Sequence, residues 1–184
     1  MKNEKNSIHE SSDNENFIVK EYKEICDTGV PELNHLLGGG IIIPGVNLFI
    51  LDDDDIDSYV FVYSFVYDLC KDIQSGYDID TIFMNGFSLD APGMYIRQKS
   101  GLFTSIADIS HEYKKASFVI TNNSTVCVTA SYISSVVFNV KKVDNGYKFI
   151  LWKSRTSEAD YFNETKYCIL TRNDENKIIC VESH

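Results

Sequence analysis

The sequence predicts an α/β domain whose C-terminal third is rich in strands. Three observations carry this expectation. Leu33, Leu36 and Leu37 fall on one face of a helix that opens with Pro31, and Gly38-Gly39-Gly40 stops it. Val46–Leu51 is a short, uninterrupted apolar run of the kind found in a strand buried on both faces. From Val136 onward, apolar runs alternate with turn residues: Asp144-Asn145-Gly146 joins two of them, and Asn-Gly is a strong hairpin signal.

Along the chain, residues 1–16 are polar throughout and read as a disordered tail, leaving 17–184 as a single domain. Phe17–Cys26 suits a strand or a short helix. Glycine takes the left-handed C-cap backbone without strain, so Gly38–Gly40 ends the first helix, and Pro44-Gly45 turns the chain into the strand Val46–Leu51. Tyr59–Ile73 has β-prone residues, yet Val62, Phe65, Val66, Leu69 and Ile73 keep a helical stripe over a run too long for one strand, so a helix is expected. Ile79–Asn85 reads as a second buried strand, Asp90–Gly93 as a turn, Ser105–Lys115 as a helix and Ser117–Asn122 as a third strand. Val136–Val143 pairs with Tyr147–Trp152, and Tyr167–Thr171 with Ile178–Val181 around a polar loop.

At 184 residues the chain can bury roughly 70% of its extended surface, enough for one core. Its 27 acidic against 17 basic residues give a net charge of −10, a field that disfavours unaided binding to nucleic acid. The 5 cysteines include no C-x-x-C pair, which fits reduced thiols in a cytosolic or nuclear protein and neither a disulfide framework nor a zinc knuckle. The N-terminus has no apolar stretch of the signal-peptide type, and no run reaches the ~20 apolar residues that span a bilayer.

The chemistry-bearing positions are few. Residues 52–59 read Asp52-Asp53-Asp54-Asp55-Ile56-Asp57-Ser58-Tyr59 at the place where a strand passes into a helix. A phosphate loop there needs glycines to converge backbone N–H groups, a lysine and a Ser or Thr; only Ser58 qualifies. A polyphosphate would meet carboxylates with no donors to offset them. An EF-hand counted from Asp52 fails as well, with Asp57 in place of the glycine and Tyr63 in place of the glutamate. Solvated carboxylates at a helix N-terminus, favoured by its dipole, are the better account. His9, His35, His111 and His184 have no partner at ligand spacing, so no metal site, cofactor or self-sufficient catalytic group is expected. Lys153 and Arg155 form the one basic pair of interest, at the end of the strand Tyr147–Trp152; they stand evenly between surface decoration and an interface contact.

Thr28-Gly29-Val30-Pro31-Glu32-Leu33, Leu36–Gly40 and Pro44-Gly45 resemble the lead-in motif of the KaiC and RadA branch of RecA-like proteins. The acidic run followed by Tyr59 and an apolar helix is similar to the fourth subunit of Elongator, of which the chain looks like a member shortened in its middle section. The resemblance implies a single RecA-like core with a degenerate phosphate loop, no catalysis of its own, and assembly with Elongator subunits five and six into a hexameric ring. That ring binds tRNA during wobble-uridine modification. In RecA-type rings a Lys-x-Arg pair often reaches the neighbouring subunit, so the resemblance gives Lys153 and Arg155 an interface, nucleotide or tRNA contact. The alternatives are a divergent ATPase of the RecA, KaiC or RadA kind and a free-standing acidic interaction domain.

Overall fold

A computed structural model describes residues 24–51, 56–73, 96–121, 130–155 and 165–184. Its elements run β1 (Glu24–Cys26), α1 (Pro31–Leu37), β2 (Ile41–Ile43), β3 (Gly45–Leu51), α2 (Ile56–Ile73), α3 (Ile96–Glu112), β4 (Ala116–Thr121), β5 (Val136–Val143), β6 (Gly146–Ser154), β7 (Tyr167–Arg172) and β8 (Ile178–Ser183). The main sheet has 6 strands in the order β4-β3-β5-β6-β7-β8. β3 lies parallel to both β4 and β5, and from β5 onward each strand is antiparallel to the next. β1 and β2 form a separate two-stranded antiparallel sheet.

β3 is buried along its whole length because both its faces are covered. Phe49 and Leu51 face the core that α2 closes with Phe61, Val62, Phe65, Val66 and Leu69. Val46, Leu48 and Ile50 face the opposite core, closed by Phe103 and Ile106 of α3. At the centre of the first core, the Phe49 ring lies 5.7 Å from Phe138, 6.2 Å from both Phe65 and Phe149, and 6.5 Å from Phe118. One side chain thus touches rings from α2, β4, β5 and β6. The edge-on and offset geometries are those that aromatic quadrupoles favour.

Two glycines are required by the backbone near α1. Gly38 takes the left-handed C-cap of the helix at φ 72°. Gly40 sits at φ +146°, where a Cβ would lie 2.1 Å from the Cys26 carbonyl oxygen, so only glycine lets β2 approach β1. The glycine run therefore ends a helix and starts a strand, whereas the sequence suggested only the helix stop. Other boundaries shift too. α3 begins nine residues ahead of the expected Ser105, because Gly101 sits on the helix surface with nothing within 4 Å and does not break it. Both C-terminal hairpins form as expected. The expected strand at Ile79–Asn85 and the turn at Asp90–Gly93 lie outside the described residues.

Phe49→Ala removes the ring shared by five elements and should lower the unfolding free energy by about 3–5 kcal/mol, read as a reduced urea midpoint. Val60→Ala, on the exposed side of α2, should change it by no more than about 0.5 kcal/mol.

Candidate functional site

In sheets of this type a ligand sits outside the carboxyl ends of the parallel strands, where the strand order reverses. Here β4 lies on one side of β3 and β5 on the other, so the crevice is bounded by Leu51, Thr121 and the N-terminus of α2. Asp52, Asp53, Asp54 and Asp55, which follow Leu51 in the sequence, lie outside the described residues. The described polar groups in the first turn of α2 are Asp57 and Ser58. The Asp57 carboxylate accepts from Lys142 Nζ at 3.0 Å, an exposed pair that ties the first turn of α2 to β5. Ser58 is 0% exposed, and its hydroxyl has no hydrogen-bond partner among the described residues. A magnesium ligand in a phosphate loop has to face an open, oxygen-rich crevice; this hydroxyl is sealed from solvent. A carboxylate, its lysine partner and a sealed hydroxyl do not fit a magnesium–polyphosphate group.

The loop that leads into α1 is ordered by its own polar side chains. Asp27 Oδ1 accepts from the Gly29 N–H at 2.8 Å and from Asn34 Nδ2 at 2.5 Å. Asn34 Oδ1 in turn accepts from the Thr28 N–H at 2.9 Å and the Thr28 hydroxyl at 2.8 Å. One asparagine thus clips the loop from within the helix it precedes. The Gly29 N–H, and after it the Asn34 amide, hold the Asp27 carboxyl below the usual carboxylate range. The sequence reading named Thr28 and Gly29 but not Asp27 or Asn34; the clue was a side-chain amide six positions after the threonine, on the first turns of a helix.

Lys153 and Arg155 lie at the other end of the sheet, about 20 Å away by the length of β3. They flank a helical turn over residues 130–133 that feeds β5. Lys153 Nζ donates to the Tyr132 carbonyl at 2.9 Å and also to that of Ser131, so its ammonium caps the C-terminal end of the turn. Burial, and then the neighbouring charge of Arg155, push the Lys153 pKa below that of a free lysine. Arg155 donates to Ile133 O across a long 3.4 Å and stays exposed. The pair is divided: lysine holds local structure, and the guanidinium faces outward. Beside it Tyr132 is 80% exposed.

Elsewhere Arg172 joins α2 to the β7–β8 hairpin, pairing with Asp68 at 2.6 Å while donating to the Ser64 hydroxyl and the Asn176 carbonyl. A cleft of about 350 Å³ opens next to it, lined by Thr28, Gly29, Phe65, Asp68, Asn176 and Lys177. Its two charged lining groups are each paired with a neighbour, Asp68 with Arg172 and Lys177 with Glu175. No group of three or more His, Cys, Asp or Glu among the described residues is placed to hold a metal.

The chain resembles two solved structures. One is the RadB recombinase, at 12% identity over 86% of this chain and 100% of that one, with a TM-score of 0.50. The other is a KaiC-like protein from the hyperthermophilic archaeon Pyrococcus horikoshii OT3, at 11% identity over 87% and 100%, with a TM-score of 0.56. The fold is RecA-like. No protein-family model matches the sequence, and no curated protein matches it. At these identities the likeness extends to the RecA-like fold and no further. No described helix is long and apolar enough to cross a membrane.

Two measurements check this geometry. Because the folded-state pKa of Asp27 is depressed, its charge stabilises the fold above the unfolded-state value of about 3.9 and ceases to do so as pH falls through the folded-state value. Asp27→Asn should therefore be less stable than the wild type at pH 7, with the gap closing below about pH 4 in urea titrations. Lys153→Ala should cost about 1–2 kcal/mol by leaving the carbonyls of the turn unmatched, whereas Arg155→Ala should cost roughly 0–0.5 kcal/mol.

Proposed function

We propose that the chain is a non-catalytic RecA-like subunit of Elongator, a scaffold in the ring that supports tRNA wobble-uridine modification in the cytosol or nucleus. A single observation carries the reading: the RecA-like frame is intact up to Leu51, and a run of four aspartates stands where the phosphate loop would be. The lead-in fits the same reading, since the Asp27–Thr28–Asn34 network orders the loop ahead of the strand.

In this reading the partners are Elongator subunits five and six. At a net charge of −10 this chain repels a phosphate backbone, so tRNA is gathered on basic surfaces of the partners. Arg155 is the residue of the basic pair available for the ring. Its exposed guanidinium can take a neighbour's carboxylate or a phosphate in a bidentate pair, while Lys153 keeps its post on the 130–133 turn.

A second reading has one observation in its favour. The fold is shared with a RadB recombinase and a KaiC-like protein, and a divergent ATPase of that kind would use the crevice above Leu51. Calorimetry with magnesium and ATP separates the two. The scaffold reading expects no saturable heat at physiological ATP concentrations, and micromolar binding would favour the ATPase.

The direct test is co-expression with Elongator subunits five and six. The expected outcome is a stable ring-sized complex in size-exclusion chromatography that Arg155→Ala weakens tenfold or more. A chain that stays a monodisperse monomer in the presence of both partners counts against the assignment.

A further inference from the structure

The end of the sheet opposite the crevice gathers cations in a chain that is otherwise strongly acidic. β3, β4 and β5 run parallel, so their first residues share this end with the last residues of β6. Backbone hydrogen bonds set them side by side. The Gly45 N–H donates to Lys115 O at 3.2 Å, the Ser135 N–H to Val46 O at 2.7 Å and the Arg155 N–H to Ser135 O at 3.1 Å. Lys115 and Arg155 therefore stand three strand spacings apart, about 14 Å. Tyr113 and Lys114 come just before Lys115, where α3 ends, and Tyr132 and Lys153 lie beside Arg155.

Two features set this row apart. The first is unmatched charge. Among the described residues Lys142, Arg172 and Lys177 each pair with a carboxylate, whereas Lys114, Lys153 and Arg155 pair with none. Asp108 and Glu112, exposed on the last turns of α3, do not pair with them either. After burial, the Arg155 charge is what holds the Lys153 pKa down, so two like charges stand together without a described carboxylate to balance them. The second feature is aromatic exposure: Tyr132 is 80% exposed and Tyr113 60%, toward opposite ends of the row. Tyrosine and arginine are among the residues that most often anchor protein interfaces.

We infer that this row is a docking surface for an acidic segment of another protein. Arg155 takes one carboxylate in a bidentate pair, Lys114 takes a second, and Tyr132 packs against an apolar side chain between them. An extended segment advances about 3.3 Å per residue, so a 14 Å row suits carboxylates roughly four positions apart. Nucleic acid is the poorer occupant. Its affinity rests on many phosphate contacts, these cations supply few, and the net charge of −10 opposes a long polyanion. A short acidic segment brings its charge only where the cations stand. The row shares Arg155 with the ring contact proposed above but does not rest on that reading.

The test uses the full chain and a fluorescein-labelled peptide of about eight residues, with two glutamates roughly four positions apart and a leucine between them. Fluorescence anisotropy should show saturable binding that falls as salt rises and weakens roughly fivefold or more with Arg155→Ala and with Tyr132→Ala. Lys114→Gly should act in the same direction. This lysine has φ 54°, a left-handed backbone that glycine takes without strain, so the variant keeps its fold. Lys177→Ala, on the β7–β8 hairpin, should leave binding unchanged. The inference is overturned if the peptide does not bind, if its glutamine version binds equally well, if none of the three substitutions in the row matters, or if Lys177→Ala weakens binding as much. It is also overturned if a uridine oligonucleotide of the same length binds more tightly, or if light scattering shows a dimer of this chain that Arg155→Ala dissolves. No Elongator subunit is present in this experiment, so its failure is distinct from failure of the ring assignment, which co-expression reads.

Discussion

Phe49 is the point on which the fold depends. It sits on β3, the one described strand with parallel neighbours on both sides, and its ring meets Phe65, Phe118, Phe138 and Phe149. Those four rings come from the covering helix and from three other strands, so the position of β3 relative to α2, β4, β5 and β6 is set at one side chain. Aromatic rings suit that task because each buries a large area and accepts only certain mutual orientations. The crevice above Leu51 inherits its geometry from this packing, which holds the strand ends and the helix that follows them.

Much of this was legible in the sequence because it rests on local signals. The helix at Pro31, the buried run at Val46–Leu51 and both C-terminal hairpins are written in spacing and turn residues. Signals with two readings were harder. Gly38–Gly40 reads as a helix stop, and it is one, but Gly40 also admits the close approach of β1 and β2, which depends on the distant Cys26 carbonyl. The helix expected from Ser105 begins at Ile96, because Gly101 on an exposed face costs only about 1 kcal/mol and α3 runs through it. The helical turn at 130–133 is too short to leave any periodicity at all.

The candidate site was legible by residue type and less so by direction. Composition alone shows that residues 52–59 carry neither the glycines nor the lysine of a phosphate loop. That Lys153 and Arg155 have different jobs is a matter of which carbonyls lie nearby, and no spacing rule encodes it. Lys153 turns onto the 130–133 carbonyls, while Arg155, two positions on and past the end of β6, stays in solvent. Likewise, the sequence displays the apolar residues of α2, but only burial separates the face that fills the core from the one that remains exposed.

The order of strands in the sheet also has a consequence for synthesis. β5 to β8 are joined by successive antiparallel pairings, two of them closed by tight turns, and local closures of this kind form early. β3 has no such neighbour. Its partners are Ala116–Thr121 on one side and Val136–Val140 on the other, both made long after it. A nascent chain therefore carries this fully buried strand without its sheet partners until residues 116–121 have been made. During that interval this strand is exposed to unwanted pairing with other chains, and holding factors would have reason to engage it.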